Sequence, residues 1–247
     1  MTAAPPTRRV AAQARFEAVT LLRNGEQLLV ALVLPVLALV GLALTQTPDL
    51  GPGRRIDVAV PGVLALAIVS TAFTGQAIST GFDRRYGVLR LLGATPLGRS
   101  GLLAGKALAV LIVEALQVLV LAGLGLALGW RPQPFGLPQA IVFWLLGTWT
   151  FVALALLLAG IVRAEAVLAI ANLLWVLLLG AGGLVVPHTL MPEPVRSVVA
   201  LLPSAGLGDG LRAALQFGTF DAGSAIVLLI WGLAATAGCL RTFRWSD

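Results

Sequence analysis

Charge is what this sequence has least of. Of its 247 residues 11% are charged and 58% are hydrophobic, whereas a soluble domain carries about 25% charged residues. A soluble globular domain is therefore excluded. There is one cysteine, Cys239, and one histidine, His188. A single thiol closes no internal disulfide, and a lone histidine with no Cys, Asp or Glu at ligand spacing makes no metal site. The acids stand singly, without the clustered carboxylates or the nucleophile and base that a membrane-embedded lipid-modifying enzyme would need. The chain has no GxxxxGK[ST] phosphate loop, because Gly101 to Lys106 reads GLLAGK and is followed by Ala107. Basic patches with interleaved aromatics are absent too, so the net charge of +6 does not point to nucleic acid. Before Asn24 no apolar run has the length of a cleavable signal, and the first span is expected to direct insertion.

What is present is apolar sequence in runs long enough to cross a bilayer. Six such runs, at about 28–45, 58–81, 102–128, 139–162, 166–186 and 223–240, predict an all-α membrane protein of six transmembrane helices. No repeat or linker divides them, so residues 26–240 read as one membrane domain between an N-terminal segment, 1–25, and a short tail, 241–247. In the N-terminal segment Gln13, Glu17, Thr20 and Asn24 form a polar stripe at helical spacing, with Val10, Ala14, Ala18, Leu21 and Leu22 facing elsewhere. That pattern predicts an amphipathic helix lying in the membrane interface, its arginines reaching towards headgroups. Trp130 and the Arg241, Arg244, Trp245 group are expected to be interfacial anchors.

Polar side chains inside the spans are few. Span two gathers Ser70, Thr71, Thr74, Gln76, Ser79 and Thr80 in its second half, suited to close helix packing or to a polar translocation lining. Pro35 bends span one. Span three carries Glu114 and Gln117 on one face, and an ionisable group at that depth is a functional candidate by default. It could pair with an arginine of the basic loop that precedes span three or with Lys106, hold a proton or cation, or lock two subunits together. Asn172 is the one strongly polar side chain of span five, expected to bond between helices. Between Pro187 and Asp221 two apolar stretches, Val195 to Leu202 and Gly208 to Phe217, are each too short to cross and read as re-entrant helices.

One stretch stands apart. Gln76 to Lys106 is a basic island in which Arg84, Arg85, Arg90 and Arg99 face a single acid, Asp83, while Tyr86, Val88, Leu89, Leu91 and Leu92 recur at roughly helical spacing. A short amphipathic helix between spans two and three is expected. The order of an arginine-rich turn, Gly87, the VLRLLGATPL run with Thr95 and Pro96, then Arg99, Gly105 and Lys106 resembles the permease subunits of ABC-2 type transporters. The LLPSAGLGDGLRAAL stretch resembles the segment that caps the exit of the pathway in that family. The resemblance implies that Asp83, Arg84, Arg85, Tyr86, Gly87, Leu89, Arg90, Thr95, Pro96 and Arg99 belong to a coupling segment that docks on a separate ATP-binding subunit. No cofactor is then expected on this chain, and ATP and Mg belong to the partner. Six helices enclose too small a space for a large solute, so a second permease chain, identical or paralogous, is expected beside two ATPase chains. With both termini on one side, twelve basic residues fall on that side against Arg54, Arg55, Arg131, Arg196 and Arg212 on the other, which places the termini and the coupling loop in the cytoplasm. An exporter of amphiphilic molecules in the cytoplasmic membrane is the expectation, and a membrane scaffold without transport the alternative.

Overall fold

Arginine side chains end five of the long apolar elements. The computed structural model describes residues 4–243, with residues 26–30 described by their backbone alone. Among the described residues every regular element is helical. The predicted anchors Arg244 and Trp245 lie outside the described residues.

The chain begins with α1 (Pro6–Arg23) and α2 (Gly25–Leu44), the latter running through Pro35. Next come α3 (Arg55–Val69), a π-helical turn (Ser70–Gly75) and α4 (Gln76–Arg85), which together make one 31-residue element that is 89% buried over its apolar window. This is the centre of the bundle. The π turn falls where the hydroxyl residues gather: Ser70 donates to the Leu66 carbonyl at 2.8 Å, a bond that competes with the regular ladder. A short helix, α5 (Val88–Gly93), precedes α6 (Gly98–Ala127), and α7 (Leu137–Ile161) and α8 (Ala164–Ala181) follow. Then α9 (Glu193–Val199) meets α10 (Pro203–Arg212), which runs into a π turn (Ala213–Phe217); the two arms are bent by 91°. Pro203 has no N–H to continue α9, and it starts α10 instead. The last helix is α11 (Ala222–Thr242), capped by the Asp221 carboxylate, which accepts from the Gly223 and Ser224 amides.

Five helices are long and apolar enough to cross a membrane, or six if the bent pair is counted as one span. Each of the six predicted runs falls on a helix. For the first of them the described apolar part, Ala31–Leu44, is shorter than a bilayer crossing.

Helix ends within a bundle leave carbonyls without partners, and without water these must be satisfied by protein. Arginine does this repeatedly here. Arg55 donates from Nε to Leu42 O at 2.6 Å at the end of α2, and Arg54 donates to Gly129 O just past α6. Arg84 forks onto Ala159 O and Val162 O at the end of α7, both at 2.6 Å. Arg99 reaches Leu240 O in α11 at 2.5 Å, and Arg212 reaches Gly183 O and Leu184 O beyond α8 at 2.8 and 2.6 Å. The planar guanidinium suits this forked role, and a positive charge at a helix C-terminus also opposes the macrodipole. Much of the arginine content thus serves helix termination.

Two expectations are corrected. Trp130 is no interfacial anchor: it is 5% exposed and packed in the core, with its amide bonded to Gly125 O at 2.8 Å. In α1 the polar stripe faces inward at Gln13 and Glu17, with Ala14, Ala18 and Leu21 buried beside it, while Phe16, Val19 and Leu22 are exposed. The reason lies in α6.

Candidate functional site

Lys106, the one lysine of the chain, stands in the third turn of α6 and is 0% exposed. A buried ammonium requires compensating charge and acceptors. Its Nζ lies 2.8 Å from Glu17 Oε1 on α1 and 3.2 Å from Asp83 Oδ2 on α4. Gln13 Nε2 donates to the same Glu17 oxygen at 2.9 Å. This is why α1 turns its polar stripe inward. Below the ion cluster Ala18 and Leu21 pack on Ala109 and Val113. The approach is close because Gly105 has no side chain: a Cβ there would stand 2.8 Å from Gln13 Cγ. Three elements, α1, α4 and α6, are joined at one lysine.

The loop between α4 and α6 is fixed at both ends by these contacts. Asp83 holds Lys106 and not the neighbouring arginines; Arg84 is buried at 5% exposure with its forked cap on α7. Arg85 extends outward to an ion pair with Glu165 at the start of α8. Gly87 then takes a left-handed conformation, φ 76°, which L side chains rarely adopt, and α5 starts there. Leu89 is 0% exposed and packs into the main core. On the opposite side Tyr86 and Leu91 are 73% and 71% exposed, with Arg90 exposed between them. Tyr86 stacks on Phe82. Thr95 donates to Leu92 O at 2.6 Å to shape the following turn, whose Pro96 carbonyl accepts from Arg9 of α1. Arg99 is used at the end of α11.

The predicted coupling residues therefore divide into two sets. Asp83, Arg84, Leu89 and Arg99 point into the protein and position the loop. Arg85, Tyr86, Arg90, Thr95 and Pro96 lie exposed on it, with Gly87 making the bend. Leu91, not singled out from the sequence, is exposed beside Tyr86.

Glu114 and Gln117 do share a face of α6, but neither meets an arginine or Lys106. Trp144 Nε1 and Thr148 Oγ1, both on α7, donate to Glu114 Oε2 at 2.7 and 2.6 Å. Gln117 accepts from Thr71 at 3.1 Å and donates to Ala31 O at 2.8 Å, tying α6 to the π turn and to α2. These bonds lie within one chain. Glu114→Gln keeps an acceptor for both donors and removes an ionisable group from the interior. Its melting temperature in detergent is expected to equal or exceed that of the wild type. Glu114→Leu strands Trp144 Nε1, while the Thr148 hydroxyl keeps the Trp144 carbonyl as an acceptor at 2.9 Å, and is expected to lower stability by about 1–3 kcal/mol. Gln76 is buried, and its Oε1, like the hydroxyls of Thr74 and Thr80, has no partner among the described residues. Asn172 faces outward from α8, next to exposed Leu173, and bonds no neighbouring helix among the described residues.

Stacked apolar helices, a buried lysine and helix-capping arginines bonded inside the bundle, and a basic loop held at one end define a multi-pass helical membrane protein. A family model described as ABC-2 family transporter protein matches residues 53–240. The chain belongs to that family, and is a permease of the ABC transporter type, a membrane subunit that associates with an ABC ATP-binding subunit. The matched region begins after α1 and α2. No curated protein matches the chain.

Sequence reasoning missed the Lys106 cluster, although its signals were on the page. A single lysine entering an apolar helix needs a counter-charge, and α1 offered Glu17, the one acid among its arginines.

Proposed function

We propose that this permease exports an amphiphilic or lipid-like substrate across the cytoplasmic membrane, driven by a separate ATPase that docks on the exposed face of the α4–α6 loop. The observation carrying the proposal is the pairing of a fixed underside, Asp83, Arg84 and Leu89, with an outward face of Tyr86, Arg90 and Leu91. Exposed apolar side chains on a rigid basic loop fit a protein partner, because the ordering entropy of the loop is already spent. Force applied to this face would pass through Lys106 to α1 and through Arg84 to α7.

The loop and both termini lie in the cytoplasm in this reading, in keeping with the distribution of basic residues. A second permease chain packs along α8, whose exposed Asn172, Leu173, Val176 and Leu177 offer an amide within an apolar stripe, a poor surface to leave in lipid. Two permease and two ATPase chains complete the assembly. Export and the substrate class follow from the resemblance and from the apolar, hydroxyl-bearing interior. ATP and Mg belong to the partner.

Co-purification tests the docking face. The tagged chain is co-expressed with each stand-alone ATP-binding subunit of its own genome. The wild type retains one of them in mild detergent, and the Tyr86→Asp, Leu91→Asp double variant loses it while still eluting as a folded membrane protein. Equal retention by both chains would overturn the assignment.

A further inference from the structure

Three helix ends meet beside the basic loop: α6 begins at Gly98, α7 finishes at Ile161 and α11 at Thr242. A cavity of about 520 Å³ lies among them, lined by Arg99, Ile161, Arg241, Thr242 and Phe243. That size is within the range of about 300–1,000 Å³ in which small-molecule sites fall. Phe243 is buried and sits against Gly160, where a Cβ would stand 2.6 Å from Phe243 Cδ2. Ile161, Arg241 and Thr242 are exposed, and Arg99 is half-buried in the first turn of α6. The cavity thus has a closed apolar back and an open basic mouth.

Its charges are of one sign. Among the described residues no carboxylate lines it, and Glu165, the acid nearest in sequence to Ile161, is held by Arg85. Arg99 commits only Nη1, to Leu240 O at 2.5 Å, and Arg241 bonds no described residue. The carbonyl ends of α7 and α11, which by their dipoles would repel an anion, are met by Arg84 and by Arg99 itself. The Thr242 hydroxyl donates to Gly238 O, so the free donors are guanidinium N–H groups. Two guanidiniums without a counter-charge select an anion that offers several acceptor oxygens, as a phosphate does. The surroundings narrow the choice further. Ile226, Leu233 and Leu240 recur at heptad spacing along an exposed side of α11, a helix apolar enough to cross a membrane, and this row ends next to Arg241. An anion held here stands where headgroups meet the end of an apolar helix face, and basic pockets between membrane helices suit anionic headgroups.

We propose that this cavity binds the phosphate of an anionic phospholipid, held by Arg99 and Arg241, with an acyl chain along Ile161 and the Ile226, Leu233, Leu240 row. A zwitterionic lipid carries the same phosphate but brings a cation that the two arginines oppose. The site is complete within one chain and needs no ATPase. Its failure would therefore leave the docking proposal untouched, and the two are tested separately.

The test titrates the full chain, purified in mild detergent and stripped of bound lipid, with phosphatidylglycerol and phosphatidylcholine that carry the same fluorescent acyl chain. Phosphatidylglycerol binds saturably and about tenfold or more tighter, as expected for two arginines at a headgroup. Arg241→Gln removes a guanidinium that bonds no described residue, keeps the melting temperature and weakens phosphatidylglycerol about fivefold. Arg131→Gln makes the same charge change at the opposite end of the bundle and keeps the wild-type preference. Water-soluble glycerol phosphate in large excess does not displace the lipid. Equal affinity for both lipids, or the same loss in Arg131→Gln as in Arg241→Gln, overturns the proposal. Displacement by glycerol phosphate overturns it in favour of a soluble phosphate. An Arg241→Gln chain that keeps its lipid preference but no longer retains the ATPase on co-purification overturns it too, giving the cavity to the ATPase.

Discussion

Lys106→Met unfolds the junction of α1, α4 and α6. The substitution strands Glu17 and Asp83 as unpaired carboxylates at a site where the ammonium was 0% exposed. Removing one partner of a buried ion pair costs about 3–5 kcal/mol. For a protein of ordinary stability that is a large part of the whole. The expected result is loss of the monodisperse peak on size exclusion, or a strongly lowered melting temperature. The triple variant Lys106→Met, Glu17→Gln, Asp83→Asn removes the stranded charges together, and buried ion clusters replaced by neutral groups are often no less stable. It is expected to recover most of the lost stability. Equal damage in the single and triple variants would mean that packing of the lysine stem, and not its charge, holds the junction.

Arg84→Met is the second large effect. Two carbonyls at the end of α7, Ala159 O and Val162 O, lose their donors. At about 1–3 kcal/mol for each buried acceptor left unsatisfied, the expected loss is roughly 3 kcal/mol. Arg84→Lys restores one bond at best, because an ammonium on a flexible stem does not fork, and falls between. Arg90→Met, on the exposed side of the same loop, is expected to stay within about 0.5 kcal/mol of the wild type. Thermal unfolding in detergent ranks the three. If Arg84→Met and Arg90→Met melt alike, Arg84 does not terminate α7. The contrast also governs how loop variants are read: a substitution at Arg84 removes a binding partner by loosening the loop, and one at Leu91 by altering its face.

Apolar runs gave the helices away because lipid demands about twenty uninterrupted apolar residues from any crossing helix, a strong signal. The basic loop stood out for the complementary reason. What the residue pattern did not resolve was which arginine faces which way. Arg84 and Arg85 are neighbours of the same type, yet one caps α7 from inside the protein and the other reaches out to Glu165. That difference is set by where Ala159 and Glu165 lie in three dimensions, not by the spacing of the arginines. Periodicity correctly gave α1 a polar stripe, but a stripe has the same period whether it faces water or a buried lysine. Short elements hid for another reason: the two stretches between Pro187 and Asp221 showed as runs too short to cross, but the second was read from Gly208, whereas α10 starts at Pro203. The π turns depend on hydroxyl bonds such as Ser70 to Leu66 that leave no distinct sequence period.

The coupling role of the loop rests on its exposed face, and site-specific photo-crosslinking reads that face directly. A photoreactive residue is introduced in turn at Leu91, at buried Leu89 and at exposed Phe135 on the far end of the bundle. Each is irradiated in membranes that carry the full transporter. The account predicts a crosslink to the ATP-binding subunit from position 91 and none from position 135, with position 89 silent or unfolded. A crosslink from position 135 with none from position 91 would contradict it, placing the ATPase at the opposite end of the protein.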